Sequence, residues 1–576
     1  MRCARRSPLA DDQALAGLRQ AQSLIAGLVQ GGVMQAVVSP GSRSTPLALA
    51  CLRHERLTTE VVIDERSAAF FALGVARKSR RPVVLVATSG SAPANWYPAL
   101  IEAHEDRIPL VFVSADRPPE LLACGANQTT TQNALFGDRV RAFLALGPSS
   151  GAAIDYVHAS SVGTRAADLS LWPCPGPVHV NVPFREPLVV VGSELADNAV
   201  ARPAEPANVA RPILEPDAWA LGEIDKAMSG GRGIIVSGPC HSGEIDPFAL
   251  VTLAEKCDAP ILADPLSGLR CGAWPKRAVI SGYDAFLRGQ APGYPDWVLQ
   301  FGGTPTSGTL QRWLAQPQMP QPMIVAAYPP WPDPALRAGL VVHADPGRVI
   351  EMLCDMVSAA SHANWTDDWR RSDDEIWSVD AAALPAEAAL MQAVSATIAD
   401  NGSLFLGNSM IIRDADSFLN GRNAPLAILG NRGVSGIDGN ISTAAGIAAT
   451  APEATIAIVG DVALFHDLNG VALAARHELK LIVVNNGGGA IFGYLAQKQL
   501  PEFERGWLTP PGLDLGRVAD LFGLAYHRID ADHDPLAVLD VALRGPGAML
   551  IEMRVSRETS AVAHQEWWRA IGRGDG

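Results

Sequence analysis

"IAIVGDVALFHDLNGVALAARHELKLIVVNNGGG", residues Ile456 to Gly489, holds two short apolar runs, and each ends in a polar pair: Gly460-Asp461 and Asn485-Asn486. Ile- and Val-rich runs of this length, bounded by glycine, read as strands buried on both faces of a parallel sheet. Between them "FHDLNGVALAARHEL" has the length and apolar spacing of a helix, so the whole reads as a βαβ unit. Asp461 and Asn486 then share the carboxyl edge of the sheet, which is where open α/β sheets bind ligands.

The same rhythm spreads in both directions. "MQAVVSPGSRS", "EVVIDERSAAFFALGVA", "PVVLVATSGSAPANWYPALIEA" and "PLVFVSADRPPE" each give a buried strand, a small or acidic turn and a helix. "GIIVSGPCHSG", "APILADPLSG" and "WVLQFGGTP" do so in the middle, and "SLFLGNSMIIRDA" and "LAILGNRGVSGIDGNISTAAGIA" near the end. Two stretches read as linkers: the Pro- and Ala-rich segment from Pro183 to Pro216, and the Trp- and Asp-rich segment from Ser361 to Pro385. They divide the chain into blocks 1–204, 205–360 and 361–576. The fold class expected is α/β, with three doubly wound parallel-sheet domains.

Composition narrows the partners. A chain of 576 residues exceeds one ordinary core, and 48% hydrophobic with 18% charged residues is a globular balance. A net charge of −14 without a basic run argues against nucleic acid and anionic membrane surfaces, leaving small molecules. The eight cysteines include no Cys-x-x-Cys pair, and the basic start "MRCARRSPLADDQ" has no apolar segment behind it. Reduced thiols and a cytoplasmic location follow as expectations.

Asp461 and Asn486 carry the chemistry. Mg²⁺ takes hard oxygen ligands, commonly one or two carboxylates completed by phosphate oxygens. Asp461 offers a carboxylate, Asn486 an amide oxygen, and the bend at Gly487-Gly488-Gly489 a main-chain carbonyl, here assigned to Gly488. Taken singly, Asp461 also fits a helix cap and Asn485-Asn486 a turn. Upstream, "NRGVSGIDGNIST" sets glycines and caps between a strand and a helix, a backbone suited to an anion. "GPSSG" at Gly147 to Gly151 satisfies the Gly-x-Ser-x-Gly pattern of a hydrolase elbow, but it has Pro148 in the turn.

These motifs resemble the thiamine-diphosphate enzymes, with Val462 standing where the general pattern has a third glycine. "SPGSRSTPLALA", "DERSAAFFALGVA", "SADRPPELLACGANQTTTQ", "GNSMIIRD" and "NNGGGAIFGYL" are similar to the menaquinone-biosynthesis branch of that family, densely in the outer blocks and thinly in the middle one. The resemblance implies a pyrimidine-binding first domain, a central domain and a diphosphate-binding last domain. It also implies a transferase: a decarboxylating carboligase that adds the succinyl-semialdehyde unit of 2-oxoglutarate to isochorismate. The cofactors implied are thiamine diphosphate with Mg²⁺ or Mn²⁺, the ion acting as anchor, and the assembly a homodimer or homotetramer.

Residue by residue, the resemblance makes Glu65 the catalytic group, hydrogen-bonded to the pyrimidine ring. Such an acid works best in an apolar, water-poor setting, which Val61-Val62-Ile63 and Ala68-Ala69-Phe70-Phe71 suggest. Ser435, Gly436, Ile437, Asp438, Ile491, Phe492 and Leu495 would hold the cofactor, with Asp461 and Asn486. Ser42, Arg43, Arg117, Asn127, Gln128, Ser409, Arg413 and Arg432 would line the substrate pocket, where the guanidinium fork suits carboxylates. At Gly308-Thr309 the family pattern has a basic residue or pair, and Arg312 lies one helical turn on. An acetolactate synthase or 2-oxo acid decarboxylase would share the anchor and Glu65 with less need of arginines. An inactive cofactor-binding scaffold would not need Glu65.

Overall fold

The computed structural model describes residues 8–189, 208–360, 362, 364–379, 384–451 and 453–572, so the expected boundary near Glu205 lies outside the described residues. Its strands form three six-stranded sheets, and every pairing between them is parallel.

The first sheet contains β1 (Gln35–Val38), β2 (Thr58–Val61), β3 (Val83–Ala87), β4 (Leu110–Asp116), β5 (Ala142–Ala145) and β6 (Pro177–Pro183), in the order β2-β1-β3-β4-β6-β5. The second contains β7 (Gly233–Ser237), β8 (Ile261–Ala263), β9 (Val279–Ile280), β10 (Trp297–Phe301), β11 (Met323–Val325) and β12 (Leu340–Val342), ordered β12-β11-β10-β7-β8-β9. The third contains β13 (Ser403–Leu406), β14 (Ala427–Leu429), β15 (Thr455–Gly460), β16 (Lys480–Asn485), β17 (Ala525–Ile529) and β18 (Met549–Arg554). Its order, β14-β13-β15-β16-β18-β17, repeats that of the first sheet.

Sequence explains which strands are central. β3, β4, β6, β7 and β10 are buried at every residue, mostly apolar, and the buried polar residues of β4 and β6 pair with one another, Ser114 with His179 and Asn181, and Asn181 with Asp116. The edge strand β2, Thr-Thr-Glu-Val, has no buried residue and tolerates solvent. In the first and third sheets the strand order reverses between β1 and β3 and between β13 and β15. Ligands of open α/β sheets sit at the carboxyl ends of strands beside such a reversal. Ser42 and Arg43 follow β1, Ser89 follows β3, Ser409 follows β13, and Asp461 follows β15.

Two compact units carry the sheets. One is Met1–Arg211 with Asn431–Thr450 and Asp467–Leu473, and it holds the first sheet; the other, Pro212–Gly430 with Ala451–His466 and Ala474–Gly576, holds the second and third. In the second unit one apolar cluster joins Ile234 and Val236 to Leu404, Ile458 and Ile482.

Two local expectations are corrected. The segment read as a linker after Ser361 contains a helix, Trp365–Trp377. Its Trp365, Trp369 and Ile376 fall on one face and are buried, and Trp369 meets Trp313 and Phe286 edge-on at 5.7 and 5.8 Å. The crossover read as one helix from Phe465 is two, Asp461–His466 and Gly470–Arg476. The chain breaks where the buried Asp467 carboxylate accepts from the Ser442 main-chain N–H at 2.7 Å and its hydroxyl at 2.8 Å. None of the seven described cysteines is joined in a disulfide, and among the described residues no helix is long and apolar enough to cross a membrane.

Candidate functional site

In the second unit β15 and β16 run side by side, with Gly460 in register with Val484, so the two polar pairs emerge together. Asp461 is 3% exposed. Its two oxygens accept from the Val462 N–H at 3.0 Å and the Gly488 N–H at 2.8 Å. Burial pushes its pKa up to about 6 against the pull of those main-chain donors. Gly488 has φ +127°, and a Cβ there would stand 2.1 Å from the Leu508 carbonyl oxygen, so only glycine brings this N–H to Asp461.

The two asparagines divide their duties. Asn485 donates to Glu552 at 2.7 Å and accepts from the Gly487 N–H at 3.3 Å, which ties the strand end to β18. Asn486 keeps a buried amide oxygen with no donor among the described residues. Leaving such an atom unsatisfied costs about 1–3 kcal/mol, a cost that a cation would remove. A carboxylate, an open amide oxygen and turn carbonyls are hard donors that fit Mg²⁺ or Mn²⁺. Among the described residues no three His, Cys, Asp or Glu side chains cluster as a metal cage, so the remaining positions would fall to phosphate or water. A cavity of about 760 Å³ opens beside Asn486 and Gly487, with Arg554 and Arg557 on its wall.

The same unit holds five more of the expected residues. Ile491 and Phe492 are half-buried in the turn Ala490–Tyr494, and Leu495 is 48% exposed. Ser409 opens the helix Met410–Phe418 with φ +70° and ψ −122°, a conformation other residues than glycine rarely hold and one that concentrates at functional sites. Arg413 is exposed and donates to the Ser409 carbonyl.

In the first unit the loop Asn431–Gly439 precedes the helix Asn440–Ala448. Buried Glu102 accepts from the Gly433 N–H at 2.8 Å and the Val434 N–H at 2.7 Å. Arg77 joins Glu102 at 3.5 Å to Asp106 at 2.5 Å and reaches Asn431 at 3.4 Å. Asn440 folds its amide back onto the carbonyls of Gly436 and Asp438 at 3.2 and 3.4 Å. Ser435 is exposed with φ +58°, while Arg432, Gly436, Ile437 and Asp438 are half-buried. Gly439 has φ +62° and lies against the Phe70 ring, which a Cβ would meet at 2.0 Å.

Glu65 is the first residue of the helix Glu65–Ser79, behind the cap Asp64, which accepts from Arg66 and Ser67. It is half-buried and accepts from the Asn95 amide at 3.3 Å. The apolar surround expected for it is one-sided. Val62 and Ala68 to Phe71 are buried, but Val61 is 40% and Ile63 85% exposed. Extended backbone turns alternate side chains outward, and 61 and 63 share the outer side.

Arg43 and Arg117 meet beside the carboxyl end of β3. Arg43 is buried and donates to the Phe184 carbonyl and to Glu186, both at 2.9 Å. Arg117 donates to the Ser89 hydroxyl, and burial followed by the charge of Arg43 lowers its pKa. Gln128, at φ +53°, donates to the Ser89 carbonyl at 3.0 Å; Ser42 and Asn127 are exposed. Sequence reasoning passed over Ser89, Glu186, Asn181 and Gln132. Ser89 lay inside the quoted "TSGSAPAN", right after a strand, which was signal enough. Asn181 bonds Asp116 and Gln132, both at 2.8 Å, and carried no local mark.

Two further stretches resolve. Arg312 shares a helix face with Thr309, donating to its hydroxyl at 3.3 Å. Ser149 of "GPSSG" is 3% exposed and donates to Asp155 at 3.2 Å, a local capping bond that withdraws it from service as a nucleophile.

Comparison with known proteins gives a single answer along the chain. Residues 18–139 match the N-terminal thiamine pyrophosphate binding domain of thiamine pyrophosphate enzymes. Residues 222–406 match the middle domain, and residues 415–553 the C-terminal thiamine pyrophosphate binding domain. A 2-succinyl-5-enolpyruvyl-6-hydroxy-3-cyclohexene-1-carboxylate synthase of Dechloromonas aromatica is 42% identical over 92% of this chain and 97% of its own length. Synthases of the same name from Geobacillus thermodenitrificans and Halobacterium salinarum are each 38% identical, over 96% of this chain and 96% and 97% of theirs. In fold, the chain is similar to a thiamin diphosphate-dependent enzyme of Mycobacterium smegmatis, with a TM-score of 0.68 at 18% identity, covering 93% of this chain and 99% of that one.

Proposed function

We propose that this chain, which belongs to the 2-succinyl-5-enolpyruvyl-6-hydroxy-3-cyclohexene-1-carboxylate synthase family of thiamine pyrophosphate enzymes, is the carboligase of menaquinone biosynthesis that family name describes. It joins the four carbons left by decarboxylation of 2-oxoglutarate to isochorismate, in a conjugate addition that releases CO₂. The observation that carries the reading is the strand-end pair: buried Asp461 fixed by the Gly488 N–H, beside an Asn486 oxygen that has no donor among the described residues.

Asp461, Asn486 and the Gly488 carbonyl hold the divalent ion, Mg²⁺ or Mn²⁺, and the turn Ser435–Asp438 presents backbone to the diphosphate. When bound, thiamine diphosphate supplies the electron sink that decarboxylation of a 2-oxo acid requires. Glu65 holds a proton against the pyrimidine nitrogen, oriented by Asn95, and Ile437, Ile491, Phe492 and Leu495 keep water from the rings. Arg43, Arg117, Arg413 and Arg432 bind the substrate carboxylates, with Ser42, Asn127, Gln128 and Ser409 setting their orientation.

The working unit is a homo-oligomer, a dimer or tetramer, acting in the cytoplasm, and 205 and 361 remain the domain boundaries we favour. Exposure of Ile63 beside Glu65 supports a covered surface there. The function is tested by CO₂ release from purified protein with thiamine diphosphate and Mg²⁺, comparing 2-oxoglutarate with pyruvate and following isochorismate. Consumption of 2-oxoglutarate and isochorismate together is expected. Preference for pyruvate would replace the reading with an acetolactate synthase or decarboxylase.

A further inference from the structure

The helix Arg557–Gly572 carries none of the sequence motifs, yet one of its turns touches two elements of the second unit that hold expected site residues. Ser560 and His564 stand four residues apart on one face of that helix, and both are buried. His564 bonds Asp414 at 3.1 Å, and its ring meets Phe418 edge-on at 5.6 Å. Asp414 and Phe418 are likewise four apart and buried, on the inward face of the helix Met410–Phe418. The His564 ring also meets Tyr494 edge-on at 6.0 Å. Tyr494 closes the turn Ala490–Tyr494, which holds Ile491 and Phe492.

His564 faces acceptors on both sides. Its Nδ1 lies 2.9 Å from the Ser560 carbonyl and its Nε2 3.1 Å from the Asp414 carboxylate. A neutral imidazole has one N–H, so the two bonds need a further proton, on the ring or on Asp414. A second buried acid, Glu387 of the helix Ala386–Thr397, accepts from the Ser560 hydroxyl at 2.5 Å and keeps its other oxygen without a donor among the described residues. Burial pulls the His564 pKa down, but the bond and charge of Asp414, with Glu387 behind them, outweigh it and raise the pKa above the ordinary 6.5. Burial lifts Asp414 to about 6 against the pull of His564 and Arg413, with Glu387 adding to the rise. Between those limits an imidazolium meets a carboxylate, while burial keeps the neighbouring Tyr494 protonated.

Successive helix residues turn by about 100°, so holding 414 and 418 inward presents Arg413 outward, where it is exposed and donates to the Ser409 carbonyl. Ser409, at φ +70° and ψ −122°, makes that end of the helix costly to keep unless its neighbours fix it. We propose that His564 is a positioning residue for this helix: its bond to Asp414 fixes Met410–Phe418 so that Arg413 and Ser409 meet a substrate carboxylate. The part played by Arg413 rests on the proposed function; the His564–Asp414 bond does not.

The bond is tested without substrate, by NMR of ring-labelled histidine in the full chain, with His564→Gln identifying the signal. An apparent pKa above 6.5 is expected, falling below 6.5 in Asp414→Asn, where a neutral ring can accept from the amide. A value below 6.5 in wild type, or no change in Asp414→Asn, would overturn the proposal. Steady-state kinetics with 2-oxoglutarate and isochorismate test the positioning. His564→Gln should raise KM for one of them about tenfold with kcat within about twofold, and Arg413→Ala should raise KM for the same substrate. Because His564 acts through Arg413, the double variant should match Arg413→Ala alone within about twofold. Effects that multiply, or an unchanged KM for both substrates in His564→Gln, would overturn the proposal. Asp414→Asn keeps the hydrogen bond and should keep KM within about threefold, while losing the alkaline fall in kcat/KM that wild type shows as the His564 ring gives up its proton. Should His564→Gln melt early, Asp414→Asn carries the test, and an alkaline fall retained there would overturn the proposal. If pyruvate proves the donor, the proposed function falls and the same KM comparison is made with pyruvate.

Discussion

Glu102 offers the sharpest test of how the cofactor loop is built. Its carboxylate, 2% exposed, accepts from the Gly433 and Val434 N–H groups at 2.8 and 2.7 Å, and Arg77 stands behind it at 3.5 Å. Burial, and then the nearby Asp106, raise its pKa, while Arg77 and the two N–H groups favour the charged form. Glu102→Ala removes two charged hydrogen bonds, each worth about 1.5–3 kcal/mol net, and takes one partner from a buried network, typically about 3–5 kcal/mol. Arg77 keeps Asp106 and Asn431, which places the loss toward the lower end, at about 3 kcal/mol. That energy falls on the loop, so the assay is amide hydrogen exchange resolved at Gly433 and Val434. About 100-fold faster exchange at these two amides is expected, with the strand amides of β3 and β4 unchanged. Glu102→Gln, which keeps one accepting oxygen, should fall between. Unchanged protection in Glu102→Ala would refute the clamp and leave the loop held by Asn431 and Asn440 alone.

Gly488→Ala should fold but lose most affinity for thiamine diphosphate with Mg²⁺ in a calorimetric titration, because a Cβ 2.1 Å from the Leu508 oxygen forces the turn away from Asp461; wild-type affinity would detach the turn from the metal site. His179, buried on β6 with its ring at 2.7 Å from Ser114, has its pKa lowered by burial to about 3 from 6.5. Its neutral form is the folded form, so its contribution is complete above pH 6.5 and is lost progressively as pH falls toward 3, by about 2 kcal/mol between pH 6.5 and 5. Melting of His179→Asn protein should lack that acid slope, and an unchanged slope would assign it to other groups. Mixing inactive Glu65→Gln and Asp461→Ala proteins under subunit exchange should restore part of the activity, one site of each mixed dimer being intact; mixed dimers without activity would place both groups of a site in one chain.

Much of the fold was legible because parallel strands covered on both faces read as short, mostly apolar runs. The runs ending at Gly460 and Asn485 are the plainest case, and the structure ends β15 and β16 at those residues. The helix Trp365–Trp377 was illegible for the opposite reason: Asp and Arg fill its outer face, and of its five buried residues only Trp365, Trp369 and Ile376 are apolar, which leaves little apolar period in thirteen residues. Roles within motifs needed distant partners. Which asparagine serves the sheet is decided by Glu552, 67 residues on, and the anchor of Gly433 is Glu102, 331 residues earlier. The exposure of Ile63 depends on where β2 ends, which the Val-Val-Ile run did not reveal.

The central claim is carbon transfer from 2-oxoglutarate to isochorismate, and the fate of labelled carbon tests it most directly. With 2-oxoglutarate labelled at C1 in one reaction and at C2 to C5 in another, mass spectrometry should find the C1 label in CO₂ alone. The other four labelled carbons should appear together in a product that retains the isochorismate ring, one for each CO₂ released. Labelled four-carbon semialdehyde free in solution with isochorismate untouched would contradict the account, and so would label absent from CO₂.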